Sequence, residues 1–337
     1  MKNVLITGGA GFIGSHLVDR LLGENEWNVT VLDDFNSAYS PVLKYQNIAK
    51  HNENRSFSLF GGDIISEQVL DGVFSDHNFD CVIHLADKTG NTHFAGEASL
   101  LEKTNINGTL NLLEAARING VKQFIFGSTA SVYGNDLTTP FNEEIISKKS
   151  LSSYAAAKAV GETLCRTYSN LYDIRCVCLR FFTVYGPRQI PEMAVHKITS
   201  LIEAGRPVTF FGDGTTERDY VYISDVIDGI RAALNYDKSD FEIINLGTGR
   251  AVKLYDLVTM LETALKRKAV IKRTSYRSTE MYKTLADREK AKKLLDFEPK
   301  VSIEKGIENF VRWFREEKLA DEYNDFVSEH NLVDFAV

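Results

Sequence analysis

Cysteine is scarce in this 337-residue chain, which has four, and none stands in a spacing suited to a metal. Cys176 and Cys178 alternate along an apolar stretch, RCVCLRFF, and Cys81 lies in another, DCVIHL. The thiols therefore read as buried side chains of a reducing compartment, the cytoplasm, and no metal is expected. No run of about 18 apolar residues occurs, so no membrane span is expected. The net charge is −7, with acids and bases interspersed and no basic block. That argues against a nucleic-acid partner and leaves room for local cationic pockets. The first residues, MKNVLITGGAGFIGSHL, hold one early lysine and a short apolar run broken by glycines. They read as a strand and a turn, not a signal peptide. No internal repeat and no low-complexity linker is present. What is there is 44% apolar, enough for a large core in one large domain or two intertwined ones.

Short β-branched runs alternate with helical patterns through the first half. VLITG, VTVLDD, SFSLFGGD, DCVIHLA, KQFIFGS and RCVCLRFF read as strands; GSHLVDRLLG, GTLNLLEAARING and YAAAKAVGETLCRTYSNLY read as helices. Strands that are apolar nearly throughout, separated by helices, predict a parallel sheet covered on both faces. After about residue 180 the order loosens, and FEIINLGTG looks like one more strand that rejoins the sheet.

The first strand runs into TGGAGFIG, where Gly9, Gly11 and Gly14 satisfy G-x-G-x-x-G and Gly8 gives an overlapping spacing. A side chain there would hold the backbone away from a pyrophosphate, and the helix that follows offers unpaired N–H groups. Asp33 ends the second strand nineteen residues after Gly14, where a carboxylate accepts hydrogen bonds from both ribose hydroxyls. It repels a 2′-phosphate, so NAD is favoured over NADP. Asp34 either shares that role or is a solvated turn acid. Asp63, in GGDI, either contacts the adenine or is an ordinary turn acid. The fold class expected is α/β, a Rossmann-type doubly wound parallel sheet with a smaller, mixed C-terminal substrate domain. Residues 1–178 form the dinucleotide-binding domain, to which about 219–250 return, and 179–337 form the substrate domain.

The fifth strand ends in hydroxyls, GSTASVYG: Ser128, Thr129, Ser131 and the phenol of Tyr133. Their counterpart comes 25 residues after Thr129, in SSYAAAKAVGE, where Tyr154 and Lys158 stand four apart on one helix face. A free tyrosine has a pKa of about 10, too high for a base at neutral pH. One positive charge near 4 Å at an effective dielectric of about 20 contributes about 4 kcal/mol, or roughly three pKa units. Lys158 and an oxidised nicotinamide ring are thus expected to bring Tyr154 close to neutrality, so that it takes the proton of a substrate hydroxyl. Strand ends of such sheets face the cofactor crevice, which gives the hydroxyls a purpose beyond turn capping. For Ser131, capping is the reading.

TGGAGFIGSHL, LDDFN, GGDI, VIHLA, NINGTLNLLEAAR, FIFGSTASVYG, YAAAK, RDYVYISD and NLGTG occur in that order. Together they resemble the extended short-chain dehydrogenase/reductases, and within them the nucleotide-sugar 4-epimerases, from residue 1 to about 315. The resemblance implies Tyr154, Lys158 and Thr129 as catalytic residues, with Ser128 beside them in the pocket. It adds Phe12, Ile13, Ile64, Leu85, Ala86 and Asn105 to the cofactor contacts, Asn105 being a sugar contact as an alternative. Related dehydratases and decarboxylases carry an acid in this stretch, reading T-D-E-V-Y-G or T-S-E-V-Y-G, where this chain has Ser131. Epimerisation is therefore expected over 4,6-dehydration. A non-catalytic NAD-binding relative would be expected to lose Tyr154, Lys158 or Thr129, and all three are present.

The same resemblance puts Arg218, in GDGTTERDYVYISD, on the substrate diphosphate, a role that suits a planar guanidinium. Arg277 falls on the arginine of P-R-x-G-D, although Tyr276 replaces the proline and Thr279-Glu280 the G-D pair. For each arginine the alternative is a surface ion pair. FFTVYGPRQIPEMAVHK looks most like the UDP-glucuronate 4-epimerases, with two departures. Ile190 replaces the second arginine of R-Q-R, and their H-L-A-A-Q-A-G-V-R is HLADKTGNT here, which puts Thr92 on another arginine. Arg188 remains. Thr183 is placed to bond the sugar, and Thr284 is small where bulk limits the C2 substituent. The expected substrate is a UDP-sugar, a neutral UDP-hexose (glucose and galactose, or the N-acetyl pair), with UDP-glucuronate as the alternative. A homodimer is implied, built from helices near 99–117 and 153–171.

Overall fold

The structure, a computed structural model, describes residues 1–88, 101–135, 138–145, 150–275 and 281–317. Six of its strands are those expected in the first half: β1 (Lys2–Thr7), β2 (Trp27–Asp33), β3 (Phe57–Gly61), β4 (Cys81–His84), β5 (Gln123–Thr129) and β6 (Arg175–Phe181). Beyond them come β7 (Thr183–Tyr185), β8 (Pro207–Phe211), β9 (Glu217–Tyr222), β10 (Phe241–Leu246), β11 (Ala251–Lys253) and β12 (Val270–Thr274). The helices that concern the site and the core are α1 (Phe12–Glu24), α2 (Pro41–Ala49), α3 (Glu67–Ser75), α4 (Thr109–Ile118) and α5 (Ser153–Tyr172). After β7 follow α6 (Ala194–Glu203), α7 (Ile223–Ala233), α8 (Leu254–Leu265), α9 (Glu289–Leu295) and α10 (Ile303–Glu316).

Seven strands form one parallel sheet in the order β10-β6-β5-β4-β1-β2-β3. The chain leaves β1 in one direction and resumes at β4 on its other side, so the sheet reverses between β1 and β4. Ligand crevices of such sheets open at that reversal, outside the carboxyl ends of the strands. As expected, the FEIINL stretch rejoins the sheet, as β10 beside β6.

Successive strand residues point to opposite faces, and each face has its own core. Val4, Ile6, Ile83, Ile125, Val177 and Leu179 meet Leu17, Val18 and Leu21 of α1 and Val226 and Ile230 of α7. Their neighbours Leu5, Val82, Phe124, Phe126, Cys176 and Cys178 meet Leu70, Val73 and Phe74 of α3, Leu112 and Leu113 of α4, and Cys165 of α5. This double burial is why the strands read as continuous apolar runs. Each large side chain so buried contributes about 1.5–3 kcal/mol. All four cysteines are buried free thiols.

Past β6 the strands other than β10 form two small sheets, β11-β9-β7 and β12-β8. α10 closes this part, with Ile303, Ile307, Phe310, Val311 and Phe314 turned inward and the Ser302 hydroxyl accepting from Lys305 N–H at its start. The Tyr133 hydroxyl donates to Asn245 Oδ1 at 2.7 Å, fastening the turn after β5 to β10.

Candidate active site

At the end of β1 the backbone turns into α1 through Gly8, whose φ is 70°. A Cβ on Gly8 would meet the Ala86 nitrogen at 2.7 Å, and one on Gly14 would collide with the Gly8 carbonyl oxygen. No side chain caps the first turn of α1, which starts from Gly11. Its free N–H groups and dipole leave a bare, positive cradle suited to a diphosphate. Phe12 is buried in the core and Ile13 packs beside it, so in this structure their side chains belong to the scaffold.

Asp33 lies at the rim of this cradle and is buried. One of its oxygens accepts from Ala10 N–H at 3.1 Å and the other from Phe35 N–H at 3.0 Å. Burial pushes its carboxyl above the usual range, opposed chiefly by Lys44. Lys44 lies 3.8 Å from Asp33 and 3.9 Å from Asp34 and is itself buried. Nothing in the α2 sequence, PVLKYQNIA, marks that lysine out, and sequence reasoning passed over it. Asp34 accepts from the Asn36 backbone and side-chain amides, and Asp63 from Ile65 N–H, so both make the turn contacts of their second reading. Ile64 packs against Gly108, Leu85 against Gly127, and Ala86 N–H donates to the Thr7 hydroxyl. The bare turn, the uncapped helix and the acid at the end of β2 fit a dinucleotide.

Tyr154 and Lys158 occupy the first turns of α5, whose start is fixed by the Ser152 hydroxyl accepting from Ala155 N–H. Lys158 is buried, donates to the Gly127 carbonyl at 2.8 Å, and so spans from α5 to the end of β5. Beside Tyr154 the sequence suggested Lys158; the structure adds Asp87. The Tyr154 hydroxyl donates to Asp87 Oδ2 at 2.9 Å, and Lys158 Nζ lies 3.0 Å from the same oxygen. Burial and then the Asp87 charge push the phenol well above the usual tyrosine range, opposite to the expected direction. Nothing in the sequence tied Asp87 to Tyr154, because 67 residues separate them and only the pairing of β4 with β5, on which α5 packs, brings the two together.

Asn105 was expected to touch cofactor or sugar. Its amide is occupied at both ends by Lys88, accepting from the backbone N–H at 2.8 Å and donating to the carbonyl at 2.9 Å. It does so from a single π-helical turn, Lys103–Gly108, of the kind that often marks functional places in helices. On the other side of Asp87, His84 is held between the hydroxyls of Thr7 (2.8 Å) and Thr109 (2.9 Å). Burial lowers the His84 pKa to about 3, so the ring is neutral.

The hydroxyl cluster divides. Thr129 accepts from Ser131 N–H and donates to the Ser131 hydroxyl, both at 3.2 Å, so Thr129 caps the turn and Ser131 answers it. Ser128 is buried and donates to Glu162 at 2.6 Å. The guanidinium of Arg180 grips both Glu162 oxygens at 2.8 and 2.7 Å.

In the second part of the chain, Thr183 opens β7 opposite Tyr220 of β9. Arg218 donates to the carbonyls of Glu217 at 3.0 Å and Tyr282 at 3.5 Å. Thr284 is buried and its hydroxyl accepts from Asp219 N–H. Arg188 turns toward α1, donating to the Ser15 hydroxyl at 3.2 Å and to Asp19 at 2.9 Å. Ile190 packs against the core. Thr92 and Arg277 lie outside the described residues, as does the segment after Glu317.

The sheet order, the bare glycine turn and the tyrosine–lysine pair define an extended short-chain dehydrogenase/reductase. The chain belongs to the NAD dependent epimerase/dehydratase family, whose model matches residues 4–247. It is 37% identical to a UDP-glucuronate 4-epimerase of Thermodesulfobacterium geofontis, over 94% of this chain and 97% of that one. Among solved structures it resembles the UDP-glucuronic acid 4-epimerase of Bacillus cereus, in complex with UDP-glucuronic acid and NAD. There the TM-score is 0.88 at 36% identity, covering 94% of this chain and 99% of that one. The UDP-glucose 4-epimerase of Thermotoga maritima, with UDP-glucose, gives a TM-score of 0.84 at 35% identity with the same coverage.

Proposed function

We propose that the protein is an NAD-dependent UDP-sugar 4-epimerase. The observation that carries this reading is the Tyr154–Lys158 pair, aimed at the end of β5 beside a dinucleotide cradle. Gly8, Gly11 and Gly14 with the first turn of α1 hold the diphosphate of NAD, and Asp33 the adenine-side ribose. Bound there, NAD would supply the acceptor, and then the donor, of the sugar's hydride. Tyr154 takes the proton of the C4 hydroxyl and gives it back, Lys158 fixes the Tyr154 environment, and Thr129 holds the sugar oxygen. Ser131 stands where an acid would serve dehydration, so the oxidised sugar is reduced again. Arg218 is suited to the substrate diphosphate.

The preferred substrate is a neutral UDP-hexose. Arg188 is engaged by Asp19, Ile190 is apolar and packed, and Asp87 adds a negative charge near the reacting hydroxyl; none of these welcomes a uronate. UDP-glucuronate is the second reading, favoured by the relatives that act on it. Proton NMR of the purified protein with UDP-glucose or UDP-glucuronate, without added NAD, separates the two. UDP-galactose as the product supports the neutral-sugar reading, and UDP-galacturonate overturns it while keeping the epimerase.

A homodimer is part of the proposal: Leu110 and Ile118 on α4 and Val160, Leu171 and Tyr172 on α5 are exposed apolar side chains on helices that pack together. A cytoplasmic location agrees with four free thiols. No helix among the described residues is long and apolar enough to cross a membrane.

A further inference from the structure

Asp87 touches both members of the tyrosine–lysine pair through one oxygen, at 2.9 and 3.0 Å. Its position is built from both sides. β4 ends at His84, locked between two threonine hydroxyls, and residue 88 is held at both backbone groups by Asn105. The similar H-L-A-A-Q strings carry alanine in this place, so the turn itself does not require an acid.

We propose that Asp87 is a positioning residue that receives the Tyr154 proton as Tyr154 takes the proton of the sugar hydroxyl, with Lys158 holding the carboxylate against the phenol. This rests on the epimerase reading above. Going forward, the sugar O–H bond breaks and a new Tyr154 O–H bond forms, while the original Tyr154 O–H bond breaks and an Asp87 Oδ2–H bond forms. The C4–H bond also breaks, its hydrogen leaving with both electrons as a hydride for which bound NAD would be the acceptor, and C4 becomes a carbonyl. On return every bond change reverses, and no proton leaves the site. The reason is electrostatic: a standing tyrosinate 2.9 Å from a carboxylate is a like-charge pair, whereas a neutral phenol donating to that carboxylate is a favourable one.

Among the described residues, few other charges bear on Asp87. From α5 it faces Tyr154 and Lys158; Glu162, one turn further, is spent on Ser128 and Arg180. His84 on its own strand is neutral, and Lys88 follows it in the chain. The end of β5 and the π turn offer the uncharged Thr129 and Asn105, while Glu102 and Lys103 are exposed.

The test uses Asp87→Asn and Asp87→Ala beside the unaltered holoenzyme, each also made with Tyr154→Phe. Near-ultraviolet tyrosinate absorbance is followed against pH without substrate, and the difference from the Tyr154→Phe protein reports Tyr154 alone. Losing the carboxylate should lower the Tyr154 midpoint by about one to three pH units. In the same single variants the acid limb of the kcat/KM profile should move to higher pH, because a phenol has replaced a carboxylate as final acceptor. A merely structural Asp87 would not move the two readouts in opposite directions. An unmoved midpoint, or an acid limb that stays in place, overturns the proposal. The titration needs no turnover, so its failure is distinct from failure of the epimerase reading, which the NMR experiment decides.

Discussion

Ser128 donates a hydrogen bond from its hydroxyl to Glu162 at 2.6 Å, inside the protein and one helical turn past Lys158. Adjacent residues of one strand therefore serve opposite sides: Ser128 is anchored inward, and Thr129 stands at the turn.

That anchor predicts a stability effect. Glu162→Ala leaves Arg180 buried without its partner and should cost about 3–5 kcal/mol. Ser128→Ala removes one hydrogen bond and should cost about 1–3 kcal/mol. Urea unfolding of the two variants checks the ranking; equal losses would mean that Arg180 finds another acceptor.

Tyr154→Phe keeps the ring and deletes the hydroxyl proposed to carry the proton. Epimerisation should fall by about 10²- to 10⁴-fold. NAD copurifying with the protein should be undiminished, since the cradle lies at β1. Substantial residual turnover would remove Tyr154 from the proton path.

Asp33→Ala should weaken NAD retention by about tenfold or more, the loss of one or two hydrogen bonds to a charged group. The buried Lys44 would then lose its nearest acid. Cofactor content of the purified variant, read by absorbance after denaturation, decides it, and unchanged occupancy would place the ribose elsewhere.

Arg218→Ala should raise KM for the UDP-sugar about ten- to a hundredfold with a smaller change in kcat, because a diphosphate contact is made equally in ground and transition states. A loss confined to kcat would point instead to a contact formed during the reaction.

Acid should destabilise the fold before its carboxylates titrate. Burial lowers the pKa of His16 and His196 to about 4 and that of His84 to about 3. The unfolded chain takes up protons on these rings below about pH 6.5, which the native rings refuse until about pH 4, so stability is complete above the first value and lost as pH falls toward the second. Each ring contributes about 2 kcal/mol of that loss between about pH 6.5 and 5. His196→Gln should therefore flatten the fall in urea midpoint between these pH values; an unchanged slope would mean the ring is not held neutral.

Much of the architecture was legible because its strands are buried on both faces, and VLIT, CVIH or RCVCLRF admits few other fates. Tyr154 and Lys158 were legible because four residues on a helix fix a shared face. The Asp87 contact was not, since it depends on which strands lie side by side. Asn105 was found by its pattern but serves the Lys88 backbone. Lys44, in a short helix of mixed pattern, and the Glu162–Arg180 grip, formed between a helix and the strand after it, carry no local signal.

The seventh strand has a consequence for biosynthesis. β10 is made more than sixty residues after β6, its partner, and Asn245 on it receives Tyr133. While the ribosome is still adding α6 and α7, the nascent chain holds β6 as an open edge, its amides unpaired. Completion of the cofactor half waits on the return of the chain from the other, so a break between residues 182 and 240 would release a sheet with a raw margin. Vectorial synthesis thus leaves β6 without its neighbour until the chain is about two-thirds made.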